Sequence, residues 1–420
     1  MDLSIEDRQL LAGDAGPAAQ LAMRIVVRMA ESMGVNYLID ITGAHVDSCL
    51  YHGQSGLDFA GRLLEGGASV VVPTTLNVSL LDLLHPELNR GDEAESQAAR
   101  RLASMYEEMG CQPTWTCAPY HLEKRPSFGE QVAWAESNAI VFANSVLGAR
   151  TARYGDMIDI SAAITGRVPA AGLHLDDNRH GTILIRLMDV SPDLLDLDQL
   201  YPVLGTVVGS VSGARVPVID GLPATLSETR LRALGTGAAT TGSVGMFHAV
   251  GSTPEAPSLD AALGARDPQE VVDVTAQDLR EARNRLCTAS TTELSSVCLG
   301  TPHYSIDEFH VLVSLLADRQ VHSGVDFYAS TGRSVLAELE LRGWADLLRS
   351  AGVTLVVDTC TYVSPILADT AGTAMTDSAK WAWYAPGNLG VDVVFAGTSE
   401  CVESAVAGRV VLDERVWSGV

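Results

Sequence analysis

From about residue 290 onward, short β-branched apolar runs alternate with longer amphipathic ones. This rhythm constrains the fold more than any other feature of the sequence. Strand-like runs occupy 296–299, 325–328, 355–357 and 391–395, and helical runs occupy 306–316, 334–350 and 399–407. Strands joined through helices run parallel, because a tight hairpin joins only antiparallel neighbours. Strands apolar on both faces need helices on both faces. The pattern predicts an α/β fold in which a domain over 290–420 holds a parallel sheet covered by helices. Residues 1–289 read as an N-terminal and middle α/β region of two interleaved domains.

Upstream, the spacing predicts helices over 17–34, 97–109 and 131–147 and strands over 35–41 and 68–72. Pro17 suits a first helical position and Gly34 a helix stop. The middle third is rich in small residues, with strands predicted over 182–187, 214–219 and 243–250. The stretch 251–270 carries Pro254, Pro257 and Pro268 and reads as a linker.

At 420 residues the chain is long enough for about two to four domains. It carries 28 Lys and Arg against 52 Asp and Glu, a net charge of −24. That balance excludes a nucleic-acid binder, which needs clustered cations, and a protein held to anionic membrane surfaces. The N-terminus is acidic, with no apolar signal segment, and no stretch approaches the ~18–20 apolar residues of a membrane span; the expectation is a cytoplasmic protein. Seven cysteines without a close CxxC pair read as reduced thiols, some of them candidate metal or cluster ligands.

Polar motifs fall where parallel strands are expected to end: Cys298-Leu-Gly-Thr301-Pro-His303, Asp358-Thr-Cys360, Thr376-Asp-Ser378-Ala-Lys380 and Gly397-Thr-Ser-Glu-Cys401. Ligands of open α/β sheets bind beyond the carboxyl ends of strands, so these ends are candidates to line one site. Thr376 and Thr398 also read as helix N-caps. Cys117 lies in a proline-containing loop, whereas Cys49, Cys111, Cys287 and Cys401 read as packing residues. Glu136, Ser137, Asn138, Asn144 and Ser145 interrupt an apolar helical run, with Arg150 and Thr151 following. Such a patch reads either as a pocket for a carboxylated, hydroxylated metabolite clamped by arginine or as a buried polar network between domains. His45 follows one strand and Thr74, Thr75 and Asn77 follow another, facing one cleft. Gly235, Gly237 and Gly242 lack the spacing of a dinucleotide loop.

Taken in order, these segments resemble the aconitase X family, the divergent dehydratase branch of the aconitase superfamily. The resemblance is carried by Leu11-Ala-Gly13, Asp40-Ile-Thr-Gly-Ala-His45, Val72-Pro-Thr-Thr-Leu-Asn77, Thr116-Cys-Ala-Pro-Tyr120, Glu136-Ser-Asn138, Asn144-Ser145, Gly148-Ala-Arg-Thr151 and Arg153-Tyr-Gly-Asp156. It continues through Gly172-Leu-His174, Phe247-His248, Thr253-Pro-Glu-Ala256, Asp358-Thr-Cys360 and Ser378-Ala-Lys380. It implies an aconitase-like large-subunit architecture, several α/β domains around a central cleft. It also implies a hydro-lyase acting on a small hydroxy acid, with cis-3-hydroxy-L-proline, converted to Δ1-pyrroline-2-carboxylate, as first expectation. Mevalonate 5-phosphate is the alternative substrate. Family members hold an iron–sulfur cluster through cysteines and use a small swivelling domain, fused or separate. For this chain a separate small subunit is expected.

By that resemblance Cys117 and Cys360 are metal ligands, with Cys298 and His303 as further candidates. Thr74, Thr75, Asn77, Glu136, Ser137, Asn138, Asn144, Ser145, Arg150, Thr151 and Ser378 contact substrate, and Lys380 or His45 moves protons. Two departures from the family pattern matter: the motif around Lys380 has Asp377 where the family has asparagine, and the second concerns a cysteine. The family pattern has cysteine before Pro-His, and here Thr301 stands there. Cys298 is three positions earlier, about 10 Å along an extended strand. The expectations are an iron–sulfur cluster, a single iron or no metal. A paralogue with altered chemistry and a non-catalytic scaffold remain as alternatives.

Overall fold

The structure is a computed structural model, described for residues 1–413 and 415–418. Residues 414, 419 and 420, the end of the expected 290–420 domain, lie outside the described residues. The chain is a mixed α/β protein with several parallel sheets.

The first part holds β1 (Leu38–Asp40), β2 (Ala44–Val46), β3 (Thr74–Leu76), β4 (Ala133–Trp134) and β5 (Arg167–Pro169). β1 and β5 pair antiparallel, while β3-β2-β4 form a small parallel sheet. The expected helix forms over Pro17–Ser32, but it packs Ala22, Met23, Val26 and Ala30 inward, whereas Leu21, Ile25 and Met29, expected to share its apolar face, stay half-buried. The expected strand over 68–72 does not form. The Val70 and Val71 amides donate instead to Met109 and Ala163 carbonyls, and the strand begins later, at Thr74. The expected helix over 131–147 opens with β4, turns at Glu136 and runs as Ser137–Phe142 into a π-helical turn, Ala143–Leu147.

The second part contains β6 (Ile183–Met188), β7 (Pro217–Asp220), β8 (His248–Ala249) and β9 (Glu270–Thr275), all parallel in the order β8-β7-β6-β9. The 251–270 stretch is not a bare linker, since Ala256, Ala262 and Leu263 pack on Leu184 and Val218. Gly237 belongs to a helix contact: a Cβ there would lie 2.5 Å from the Pro202 carbonyl of the neighbouring helix Leu200–Ser212. The glycine there lets two helices touch.

The third part is β10 (Ser296–Tyr304), β11 (Asp326–Thr331), β12 (Val353–Val357), β13 (Thr373–Thr376) and β14 (Asp392–Phe395), ordered β12-β11-β10-β13-β14 and all parallel. All nine residues of β10 are buried, as a central strand covered on both faces requires. The strand order reverses at β10, so a crevice opens at the carboxyl ends of β10 and β13. β13 escaped the sequence pattern because four residues reading Thr-Ala-Met-Thr show no apolar run. The expected helix over 334–350 breaks into Arg333–Leu341 and Trp344–Ser350 around Gly343.

The β10–β11 register shifts between Leu299 and Tyr304, a bulge that re-aims the strand end. Gly300 sits there at φ 86°, and a Cβ would lie 2.1 Å from the Ser330 carbonyl oxygen. Gly300→Ala therefore combines left-handed strain with a backbone clash. Its expected cost is about 2–4 kcal/mol, read as a lowered thermal midpoint, whereas Gly67→Ala, strained but without a clash, costs less. Among the described residues, no helix is long and apolar enough to cross a membrane.

Candidate active site

Three segments converge beneath the bulge. Near the end of β10, His303 accepts at Nδ1 from the Thr116 hydroxyl (3.1 Å), and its Nε2 faces the Thr359 carbonyl at 2.9 Å. A carbonyl only accepts, so Nε2 carries the proton and Nδ1 the free pair. Burial lowers the imidazole pKa to about 4, keeping it neutral. The Thr116–Tyr120 loop brings Cys117, whose Sγ accepts the His303 amide at 3.2 Å. After β12, Asp358 at φ 62° turns the chain into Thr359 and Cys360, and Arg333 grips its carboxylate through two bonds of 2.7 and 2.8 Å. The two sulfurs stand 3.8 Å apart. Ligand atoms of Cys117, His303 and Cys360 all lie within 4.8 Å of one another, and all three residues are buried. Sulfur contact with Cys117 and burial push the Cys360 thiol well up.

A charge pair flanks this group. Lys380, buried in the first turn of the helix Ala379–Leu389, is paired with Glu136. Burial pulls the ammonium pKa down, but the Glu136 carboxylate, Tyr362 and Cys117 together outweigh it and hold Lys380 well above its usual value. Glu136 adopts φ 64° and caps the helix Ser137–Phe142 through the Ala139 amide. Asn138 links the two halves: its amide donates to Glu136 and to the Cys117 carbonyl, and it accepts from Tyr120.

The strand ends of the first part complete the cleft. His45 Nδ1 meets the Thr75 hydroxyl at 2.8 Å, and burial lowers its pKa to about 3. The Asn77 side chain interacts with the His45 ring, and among the described residues His45 Nε2 and Asn77 Oδ1 meet no third group. The Asn77 amide donates to Asp47, a residue the sequence reading missed. The only signal available was its place two residues after His45, in the same strand-end register. Val78 belongs to one small apolar cluster with Cys117 and Cys360, tying this strand end to the sulfur pair.

Not every expected residue gathers here. Asn144 is buried, with both amide protons given to Thr151 and Gly245 carbonyls and its oxygen accepting from the Thr151 amide and Arg179. Nothing is left for a ligand. Ser145 accepts the Phe247 amide and Thr151 the Trp134 amide, so these residues form the network between parts that was the other reading. Arg150 is turned away onto Asp176 and the His174 carbonyl. Thr74 donates to Val72 within its own strand end. Ser137 is half-buried beside Glu136, and Ser378 caps the helix that carries Lys380. The cap is therefore Ser378, not Thr376, and Thr398 donates to Asp377 rather than capping. Cys298 is outside the group. It precedes the bulge and packs with Tyr328, Val356 and Trp381 in a core, where burial pushes its thiol up to about 12. A cavity of about 560 Å³ opens behind the group, lined by Thr301, Pro302, Tyr304 and Asp377 but not by His303 or the two cysteines.

Models of three aconitase X domains match the chain, the first over 1–177, the second over 181–284 and the third over 294–407. The cis-3-hydroxy-L-proline dehydratase of Pseudomonas aeruginosa is 45% identical over 96% of this chain and 70% of its own. The phosphomevalonate dehydratase large subunit of Methanothermobacter thermautotrophicus is 34% identical over 93% of this chain and 95% of its own. The crystal structure of Thermococcus kodakaraensis aconitase X in its holo form superposes with a TM-score of 0.86 at 31% identity, covering 96% of this chain and all of that one. Fold, site and relatives together define a hydro-lyase of the aconitase superfamily. Within it, the chain belongs to the aconitase X family.

The donor set bears on the metal. Two thiolates on one tetrahedral ion, with bonds of about 2.3 Å, stand about 3.8 Å apart. Cys117 and Cys360 have that spacing. With His303 they fit a single iron, or the iron at one end of a two-iron cluster. They lack the third thiolate of a cluster bound at three irons, because position 301 is threonine.

Proposed function

We propose that this chain dehydrates cis-3-hydroxy-L-proline to Δ1-pyrroline-2-carboxylate, with iron held by Cys117, Cys360 and His303. The observation that carries the reading is the buried Lys380–Glu136 pair set beside the thiol–imidazole group. The 45% identical hydroxyproline dehydratase supports this substrate over mevalonate 5-phosphate. Hydroxide is a poor leaving group, and bound iron with an open position supplies Lewis acidity toward it.

The chain's own residues do the rest. Lys380 remains an ammonium at neutral pH, because Glu136 holds its proton. It is therefore not the base. It is placed to balance negative charge on the substrate and to give a proton to the departing oxygen. His45 is neutral and fixes the Thr75 hydroxyl. Asn138 keeps the Cys117 loop and Glu136 in register. Burial of these groups keeps water away from the carbanion-like transition state.

The phosphomevalonate dehydratase relatives, named large subunits, match this chain over nearly all of their length. We read this chain likewise as a large subunit, completed by a separate small one and acting in the cytoplasm. The test is turnover of cis-3-hydroxy-L-proline by anaerobically purified chain, with and without the candidate small subunit, alongside iron and sulfide analysis. Product formed only with both chains and iron present supports the reading. Mevalonate 5-phosphate turned over in preference reverses the substrate assignment.

A further inference from the structure

With Lys380 protonated and His45 hydrogen-bonded to Thr75, the reaction still lacks a group to accept the proton next to the carboxylate. One carboxylate in the cleft is built for that task. Asp47 follows β2 directly. It lies deep in the cleft yet keeps a partly accessible surface, unlike its buried neighbours His45, Val46 and Ser48. Among the described residues its side-chain partner is the Asn77 amide. The His45 and Asn77 side chains interact with each other in this same strand-end cluster, beside Asp47.

The backbone that carries Asp47 is fixed from behind. Asp159, fully buried on the helix Ile158–Thr165, accepts the Asp47 amide at 2.7 Å, the Ser48 amide at 2.9 Å and the Ser48 hydroxyl at 2.8 Å. The Tyr106 hydroxyl donates to Ser48 from another helix. A carboxylate buried to hold two amides and a hydroxyl of the preceding turn is a positioning device. On the neighbouring strand end Val78 shares a small cluster with Cys117 and Cys360, and Asp47 lies within electrostatic reach of Glu136, the partner of Lys380, so Asp47 and the thiol–imidazole group lie on one side of the fold.

We propose that Asp47 is the base that takes the proton from the substrate carbon bearing the carboxylate, and that Asp159 positions it. This rests on the dehydratase reading above. In the step, the Cα–H proton moves to the Asp47 carboxylate and the C–H pair becomes the C2–C3 double bond. The C3–O bond breaks, and the departing hydroxide leaves as water on taking a proton from Lys380. The enamine then tautomerises to the cyclic imine, and solvent exchange returns Asp47 and Lys380 to their starting states. The net change is loss of one water.

The groups facing Asp47 explain its basicity. Burial, then the carboxylates of Glu136, Asp156 and Asp159, raise it to about 7, with the Asn77 amide opposing. Cys49 also faces it, and Lys380 is paired to Glu136. An acid raised in this way is ionised, and competent as a base, only above that pH, so kcat/KM rises as pH passes about 7.

The experiment compares iron-loaded wild type, Asp47→Asn and Asp47→Glu, each with the small subunit, on cis-3-hydroxy-L-proline and its α-deuterated form. Asp47→Asn is expected to lose about 10³-fold or more in kcat, with KM within a few-fold and iron content unchanged. Asp47→Glu is expected to keep the rise with pH at lower rate, and its activity shows that the site tolerates substitution if the Asn variant folds poorly. Asp47→Asn within threefold of wild type, or retaining the same pH rise, overturns the proposal while the dehydratase reading stands. Wild type that leaves the imino acid untouched overturns that reading, and this proposal with it.

Discussion

Lys380→Met is expected to abolish turnover, by about 10³-fold or more, and to destabilise the fold at the same time. Both effects have one origin. The ammonium and the Glu136 carboxylate are buried together, so removing the cation leaves a carboxylate without water and without a counter-charge. Breaking a buried pair from one side costs about 3–5 kcal/mol, whereas removing both charges is far cheaper. The double variant Glu136→Gln, Lys380→Met is therefore expected to recover most of the thermal midpoint and none of the turnover. Thermal melts and turnover on the four proteins of this cycle separate the two roles. A double variant as inactive as Lys380→Met but restored in stability assigns the lysine to chemistry. A double variant restored in both assigns the pair to architecture.

The same pair shows why the site was only half legible in the sequence. His303, Cys360 and Lys380 stood out at expected strand ends, Cys117 in a proline-containing loop, and Glu136 and Asn138 as polar residues inside an apolar helical run, and the fold brings them together. Their grouping reflects the rule that parallel strands end on one side of a sheet, which alternating patterns disclose. Asn144, Ser145 and Thr151 carried the same kind of signal and serve a different end. A polar residue inside an apolar run shows that hydrogen bonds are made, but not whether the partner is a ligand or, as here, the backbone of a neighbouring part. Cys298 misled for a local reason: the bulge at Gly300 sends residues before and after it to different surroundings, and a strand count cannot foresee a bulge. Asp47 was passed over because nothing in Val-Asp-Ser announces a buried carboxylate. Its character comes from Asp159 and Glu136, more than eighty residues away in the chain. Short strands such as β3 and β13 were misplaced or missed because three or four residues hold too little pattern to read.

Cys360→Ser and Cys117→Ser are each expected to lose bound iron, while Cys298→Val keeps it. The contrast follows from where the sulfurs lie. Cys117 and Cys360 are 3.8 Å apart and His303 offers a ligand atom within 4.8 Å of both, whereas Cys298 lies before the bulge in the core that also holds Tyr328, Val356 and Trp381. A hydroxyl is a poor substitute for a thiolate toward iron, so one serine leaves two donors where three are needed. The expected readouts are iron per chain by metal analysis and the charge-transfer absorbance of iron–thiolate bonds, both near zero in the two serine variants and unchanged in Cys298→Val. The fold should survive, because serine fills nearly the same space and the walls around the group are fixed by Arg333 on Asp358 and by Asn138 on the Cys117 carbonyl. Circular dichroism and melting of the iron-free variants check this. Iron retained by Cys360→Ser and lost by Cys298→Val moves the centre to the other side of β10 and removes the basis for placing substrate beside Lys380.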